Sequence, residues 1–179
     1  MVIKELHKDI YYIEDFFVEF NKLSEQIKNI TFHKRPQEDT RYAHDDNQPE
    51  YYVKDLHGIS EEADPITRTL LDEIKNNIDD IFHVNTQSSC LNAIKYRSNQ
   101  GMAAHSDNNM QPNKYFVSSV YYPNEDYSGG EILFNDINLK IKPKENSLVL
   151  FSSDYIHESI TVKDGIKISF TNFWQKISD

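Results

Sequence analysis

YFVSSVYYPNEDYSGGEILFNDINLKIKPKENSLVLFSS, residues 115–153, alternates short apolar runs with turn residues. The runs YFVSSVYY, GGEILF, INLKIK and NSLVLFSS are six to eight residues long and rich in β-branched and aromatic side chains. Asn, Asp, Gly and Pro fall between them. That pattern predicts antiparallel strands joined by short connections. A fifth run, GIKISFTNFW at 165–174, carries it toward the C-terminus, so the second half of the chain reads as a sheet or sandwich.

Upstream the period changes. DFFVEFNKLSEQIKNI (15–30) and DPITRTLLDEIKNNIDDIF (64–82) read as helices: Pro65 suits a first turn, and Ile66, Leu70, Leu71, Ile74, Ile78 and Ile81 recur at helical spacing. The expectation is one α+β domain over 1–179, with 1–89 a mainly helical support plus a polar loop and 90–175 the core. In it the N-terminal helices brace one sheet of a double-stranded β-helix, or jelly roll. The polar tract 32–58, dotted with Tyr42, Tyr51 and Tyr52, is expected to hold a binding loop or lid at 33–57.

Composition narrows the partners. A chain of 179 residues with 11 Tyr and 10 Phe can bury an aromatic-rich core without a disulfide or metal to hold it. Its 29 acidic against 19 basic residues, net charge -10, oppose approach to nucleic-acid phosphates or an anionic membrane. No apolar stretch is long enough to span a bilayer, and the first twenty residues lack the apolar run of a signal peptide, so the expected location is cytoplasmic. A single cysteine, Cys90, excludes an intrachain disulfide and a multi-cysteine zinc site.

The chemistry centres on GMAAHSDNNM (101–110). On an extended segment, His105 and Asp107 project to the same side, because the strand period is two. A third donor, His157, follows the run SLVLFSS. Two imidazoles and one carboxylate on one face of an ion, with the other face open, form the set preferred by non-haem iron(II) that must also bind a co-substrate and dioxygen. Ten residues on, alternation puts Lys167, Ser169 and Thr171 on one face of the last strand. An ammonium buried in a barrel needs an anionic partner, which a carboxylate co-substrate provides.

These residues resemble those of the Fe(II)- and 2-oxoglutarate-dependent dioxygenases, most closely the prolyl-4-hydroxylase-like branch, over roughly 90–175. Tyr96 in IKYRSNQG, the paired aromatics of VSSVYYPN, and Trp174 after Lys167 agree with that branch. The resemblance implies that His105, Asp107 and His157 ligate iron, and that Lys167 pairs with the distal carboxylate of 2-oxoglutarate. Ser169 and Tyr121 would add hydrogen bonds to it, and Tyr96 would join them in binding the co-substrate. It further implies Fe(II) and 2-oxoglutarate as cofactor and co-substrate, ascorbate as an accessory reductant, and dioxygen with a peptide or small-molecule substrate as partners. The expected reaction is hydroxylation of an unactivated C–H bond of proline or another amino acid. Halogenating relatives lack the carboxylate, so Asp107 favours hydroxylation. Met102 stands where a tyrosine is common, and any bond made by that tyrosine is absent. Two other readings remain open on the residues alone: a nucleic-acid or small-molecule oxygenase of the same superfamily, and a metal-binding jelly roll without turnover. The remaining histidines, His7, His33, His44, His57 and His83, are read as structural or surface groups, and Arg97 as a solvent-facing one.

Overall fold

The computed structural model of the chain describes residues 1–34, 49–54, 65–109 and 112–177. One sheet is eight-stranded. It comprises β1 (Val2–His7), β2 (Ile10–Glu14), β3 (His33–Lys34), β4 (Glu50–Lys54), β5 (Thr86–Tyr96), β7 (Val117–Tyr122), β11 (Ser147–Ser152) and β14 (Lys167–Lys176). Their order is β1-β2-β11-β7-β14-β5-β4-β3. A four-stranded sheet places β6 (Met102–His105), β9 (Ile132–Phe134), β10 (Leu139–Ile141) and β12 (His157–Ser159) in the order β10-β9-β12-β6. A further pair joins β8 (Tyr127–Gly129) to β13 (Val162–Gly165). Helices α1 (Phe20–Ile27) and α2 (Pro65–Phe82) complete the fold, and none of the helices described is long and apolar enough to cross a membrane.

Two cores share the large sheet. On its outer face, Leu70, Leu71, Ile74 and Ile78 of α2 and Leu23 and Ile27 of α1 pack against Leu91, Tyr121, Leu148, Leu150, Phe170 and Trp174. On its inner face, Val120, Tyr122, Val149 and Phe151 meet Ile132, Phe134 and Ile141 of the smaller sheet and its neighbourhood. This is the expected jelly roll, a double-stranded β-helix braced by helices. With both faces covered, every residue of β7 is buried.

The N-terminal half departs from the helical expectation. Residues 2–14 form an antiparallel β-hairpin that turns at Asp9, whose φ of 57° a short polar side chain tolerates. The two faces of β2 are both apolar, with Ile10 and Tyr12 turned inward and Tyr11 and Ile13 toward the helices, so the strand shows no polar alternation. Helix α1 begins only at Phe20, because Asn146 holds the preceding segment extended: its backbone carbonyl accepts from the Phe16 N–H, and its side chain bonds both the N–H and the carbonyl of Phe17. The polar tract contributes β3 and β4, which extend the large sheet beside β5. The remainder of the expected lid, 35–48 and 55–57, lies outside the described residues.

Gly129 shows how tightly the turn before β9 is built. Its φ is +72°, and a β-carbon there would lie 2.3 Å from the Thr161 carbonyl oxygen. Gly129→Ala is therefore expected to destabilise the fold by about 1–3 kcal/mol. A denaturant midpoint equal to that of the parent protein would contradict this.

Candidate active site

His157 opens β12, directly opposite His105 on β6 and opposite Phe134 on β9. Strand pairing thus sets the two imidazoles side by side, with ring centroids 4.5 Å apart. Asp107 follows β6 in a turn held by Asn108, whose side chain bonds the Tyr115 backbone at both its N–H and carbonyl and also reaches Asp154. One donor atom from each of His105, Asp107 and His157 lies within 4.8 Å of the others. The His105 Nε2 is 3.5 Å from one Asp107 oxygen, and the His157 Nε2 is 3.8 Å from the other.

The histidine tautomers follow from the backbone. Nδ1 of His105 is 2.8 Å from the Ala103 carbonyl oxygen, and Nδ1 of His157 is 3.0 Å from that of Tyr155. A carbonyl only accepts, so each Nδ1 carries the proton and each Nε2 offers a lone pair to the shared space. Burial pushes His157 below its ordinary pKa; His105 adds to this, and Asp107 with the Tyr155 carbonyl only partly offsets it. The ring is neutral, as ligation requires. Burial alone would raise the Asp107 carboxyl, but the adjoining His105 and His157 rings and the Ser118 hydroxyl together hold it below the usual value. Two imidazole nitrogens and a carboxylate are the donor set that suits iron(II).

Sequence reasoning missed the groups that fix Asp107. The Ser118 hydroxyl donates to Asp107 Oδ2 at 2.5 Å and meets the Ser153 hydroxyl at 2.8 Å, and both serines are fully buried. The ring of Phe151 lies edge-on to His157 at 4.6 Å.

Lys167 is 2 % exposed and opens β14 opposite Tyr96 of β5. Its ammonium donates to the Gly130 carbonyl at 2.8 Å and the Ser159 hydroxyl at 2.7 Å, and lies 5.0 Å from the ring centroid of Tyr96 and 5.4 Å from that of Tyr122. Ser159 is two residues beyond His157 on the same face of β12, so the hydroxyl that Lys167 bonds lies about 7 Å along the strand from the imidazole. Burial, reinforced by Lys142 and opposed by Glu131, pushes the Lys167 pKa down to about 7. Ser169 is buried two residues further along β14.

Tyr121 is not brought to this face of the sheet. It stands on the outer face of β7 among Phe16, Phe17 and Phe170, and its hydroxyl donates to Asn146. Tyr122 occupies the inner face instead. In a strand buried on both sides, YY carries no sign of which ring turns inward. Arg97 forms an ion pair with Glu50 at 3.1 Å. His7 meets the Tyr155 hydroxyl on the surface, and His44 and His57 lie outside the described residues.

Residues 91–175 match the family model of the 2OG-Fe(II) oxygenase superfamily. The fold is similar to that of a Burkholderia pseudomallei oxidoreductase of the 2OG-Fe(II) oxygenase family, with TM-score 0.73 and 15% identity over 94% of this chain and 86% of that one. A Trichoplax adhaerens prolyl hydroxylase in complex with a hypoxia inducible factor peptide fragment gives TM-score 0.71 and 15% identity over 93% and 83% of the two chains. The viral collagen prolyl hydroxylase of Paramecium Bursaria Chlorella virus-1, in a 2OG complex, gives 0.67 and 16% over 95% and 97%. No curated protein sequence matches the chain.

Proposed function

We propose, from the premise that residues 91–175 belong to the 2OG-Fe(II) oxygenase superfamily, that the chain hydroxylates an unactivated C–H bond of a prolyl or other amino-acid unit, peptidyl or free. The balanced reaction consumes the C–H substrate, dioxygen and 2-oxoglutarate and yields the alcohol, succinate and carbon dioxide. One observation carries the reading: a two-histidine, one-carboxylate set with both Nδ1 atoms bonded to backbone carbonyls stands two residues along β12 from Ser159, whose hydroxyl bonds the buried Lys167 ammonium. Iron(II), when bound, supplies the redox chemistry that couples dioxygen to oxidation of the 2-oxo acid.

The chain's own residues bind, orient and exclude water. His105, Asp107 and His157 would hold the metal, with Ser118 fixing the carboxylate's orientation. Lys167 would pair with the distal carboxylate, and its bonds to Gly130 and Ser159 keep the ammonium in place before the co-substrate arrives. Phe151 and Phe134 wall off the buried side of His157. Ascorbate would serve to keep the metal reduced. The prolyl hydroxylases among the fold's relatives support an amino-acid substrate, and the net charge of -10 disfavours a nucleic acid. A mass-spectrometric screen of proline-containing peptides and free amino acids tests this. A product heavier by one oxygen on such a substrate is expected, and oxidation only of nucleic-acid bases or unrelated small molecules would contradict it.

Binding of 2-oxoglutarate is expected to take up a proton. Lys167 has a pKa near 7 in the free site, whereas a bound carboxylate favours the ammonium and raises it. The affinity is therefore level below pH 7 and falls as pH rises above it, by up to about tenfold per unit. Calorimetry at pH 8 in buffers of different ionisation enthalpy measures the uptake directly. Lys167→Arg, whose guanidinium stays charged, removes it. Absence of proton uptake by the parent protein would contradict the pairing.

A further inference from the structure

Two serines without solvent exposure, Ser118 and Ser153, lead to Asp107, although alanine would fit either position and leave no polar atom to satisfy. Ser118 stands on β7 opposite Phe151 of β11 on one flank and Phe173 of β14 on the other, so ladders on both sides fix its backbone. Ser153 follows β11. Its N–H donates to the Phe116 carbonyl, and its carbonyl accepts from the hydroxyl of Ser106, the residue between His105 and Asp107. The Ser118 hydroxyl lies 2.5 Å from Asp107 Oδ2 and 2.8 Å from the Ser153 hydroxyl. Each hydroxyl has one proton to give. A carboxylate that ligates a metal only accepts, so Ser118 gives its proton to Oδ2 and receives that of Ser153. Donation in one direction along such a chain polarises each bond in turn. The other oxygen of Asp107, Oδ1, is the one that faces His105 Nε2 at 3.5 Å.

We infer that Ser118 and Ser153 are positioning residues that hold Asp107 to ligation through Oδ1 alone, and that they thereby set how many positions on the ion stay open. The inference rests on the proposed function and adds to it two residues outside the metal-binding set. Bidentate ligation needs both carboxylate oxygens turned equally toward the ion. That rotation would draw Oδ2 away from the Ser118 hydroxyl, and a serine on a strand paired on both sides cannot follow it. A hydroxyl bond to a carboxylate oxygen at 2.5 Å is among the stronger hydrogen bonds a neutral donor makes, so breaking it opposes the rotation. Ser153 strengthens the hold by giving its own proton to Ser118. Outer partners of this kind fix how a ligand presents itself to a metal.

Water-proton relaxation of the Mn(II)-loaded protein tests this without turnover, because it reports the water molecules held directly on the ion. With an octahedral ion and three protein donor atoms, about three positions carry water, and a chelating Asp107 would leave about two. In folded Ser118→Ala the inner-sphere relaxation per bound Mn(II) is therefore expected to fall by about one third. Ser153→Ala keeps the hydroxyl that bonds Oδ2 and is expected to show a smaller fall. The double variant Ser118→Ala/Ser153→Ala is expected to match Ser118→Ala, because Ser153 acts only through Ser118. Parental relaxation in Ser118→Ala overturns the inference, as does a further fall in the double variant. Loss of Mn(II) binding in Ser118→Ala also overturns it, by showing that the serine serves ligation itself and not the number of oxygens used. A parent protein that binds no Mn(II) removes the metal set on which the proposed function rests and this inference with it, whereas binding by the parent with an indifferent Ser118→Ala removes the inference alone.

Discussion

His105→Ala, Asp107→Ala and His157→Ala are each expected to lower iron(II) affinity by more than about a hundredfold and to abolish turnover. Outer-shell partners of a metal ligand are worth roughly tenfold to a hundredfold in affinity, and loss of a ligand itself exceeds that in a site with three protein donors. Among the described residues no other group of histidine, cysteine or carboxylate side chains converges here to replace a lost donor. The fold is expected to survive, because the two cores do not depend on these side chains: the helix-side cluster lies across the large sheet from them, and His157 contributes only one ring beside Phe151 and Phe134. Circular dichroism with equilibrium metal binding separates the two effects. Any one variant that keeps parental iron affinity would show that its residue is not a ligand.

Lys167→Ala carries the second large effect. The substitution removes the counter-charge for the distal carboxylate and leaves the Gly130 carbonyl and Ser159 hydroxyl without their donor. Losing one partner of a buried ion pair costs roughly 3–5 kcal/mol, or about two to four powers of ten in 2-oxoglutarate affinity. Iron affinity is expected to change little. Lys167→Met keeps most of the volume and separates charge from packing: it is expected to bind 2-oxoglutarate as poorly as the alanine variant yet to be more stable than the parent when ligand-free. Burying the ammonium opposes folding, as its depressed pKa shows. Because the folded value lies below the unfolded one, that opposition is greatest below pH 7 and fades as pH rises toward 10, so the parent gains stability over this range and Lys167→Met does not. Parental 2-oxoglutarate affinity in either variant would assign the counter-charge elsewhere.

Much of this site is legible in the sequence because its parts obey local rules. His105 and Asp107 are two apart beside a strand, His157 follows a strongly apolar run, and Lys167 begins an alternating one. Period alone places Lys167, whereas Asp107 stands in a turn beyond β6 rather than on the extended segment expected, held there by Asn108. Strands β7 and β2 were harder for one reason: a strand covered on both faces loses the polar alternation that reports which side is inward. Hence Tyr121 and Tyr122 could not be told apart, and the hairpin 2–14 was masked by apolar residues on both sides. Helix α1 started late because Asn146, 129 residues away from Phe17 in sequence, captures that segment's backbone, a long-range effect with no local signature. Ser118 and Gly130 act through a side chain on another strand, and nothing in their own neighbourhood in sequence marks the partner.

The central claim is that the three-residue set and Lys167 together make this chain an iron- and 2-oxoglutarate-dependent oxygenase. The most direct measurement is succinate formation from 2-oxoglutarate under air, with iron(II) and ascorbate, by the parent protein and by Asp107→Ala. Succinate released by the parent only when iron and 2-oxoglutarate are both supplied, and lost in Asp107→Ala, is the result expected. No iron-dependent succinate from a folded, iron-loaded parent supplied with candidate amino-acid substrates, or equal succinate from Asp107→Ala, would contradict it.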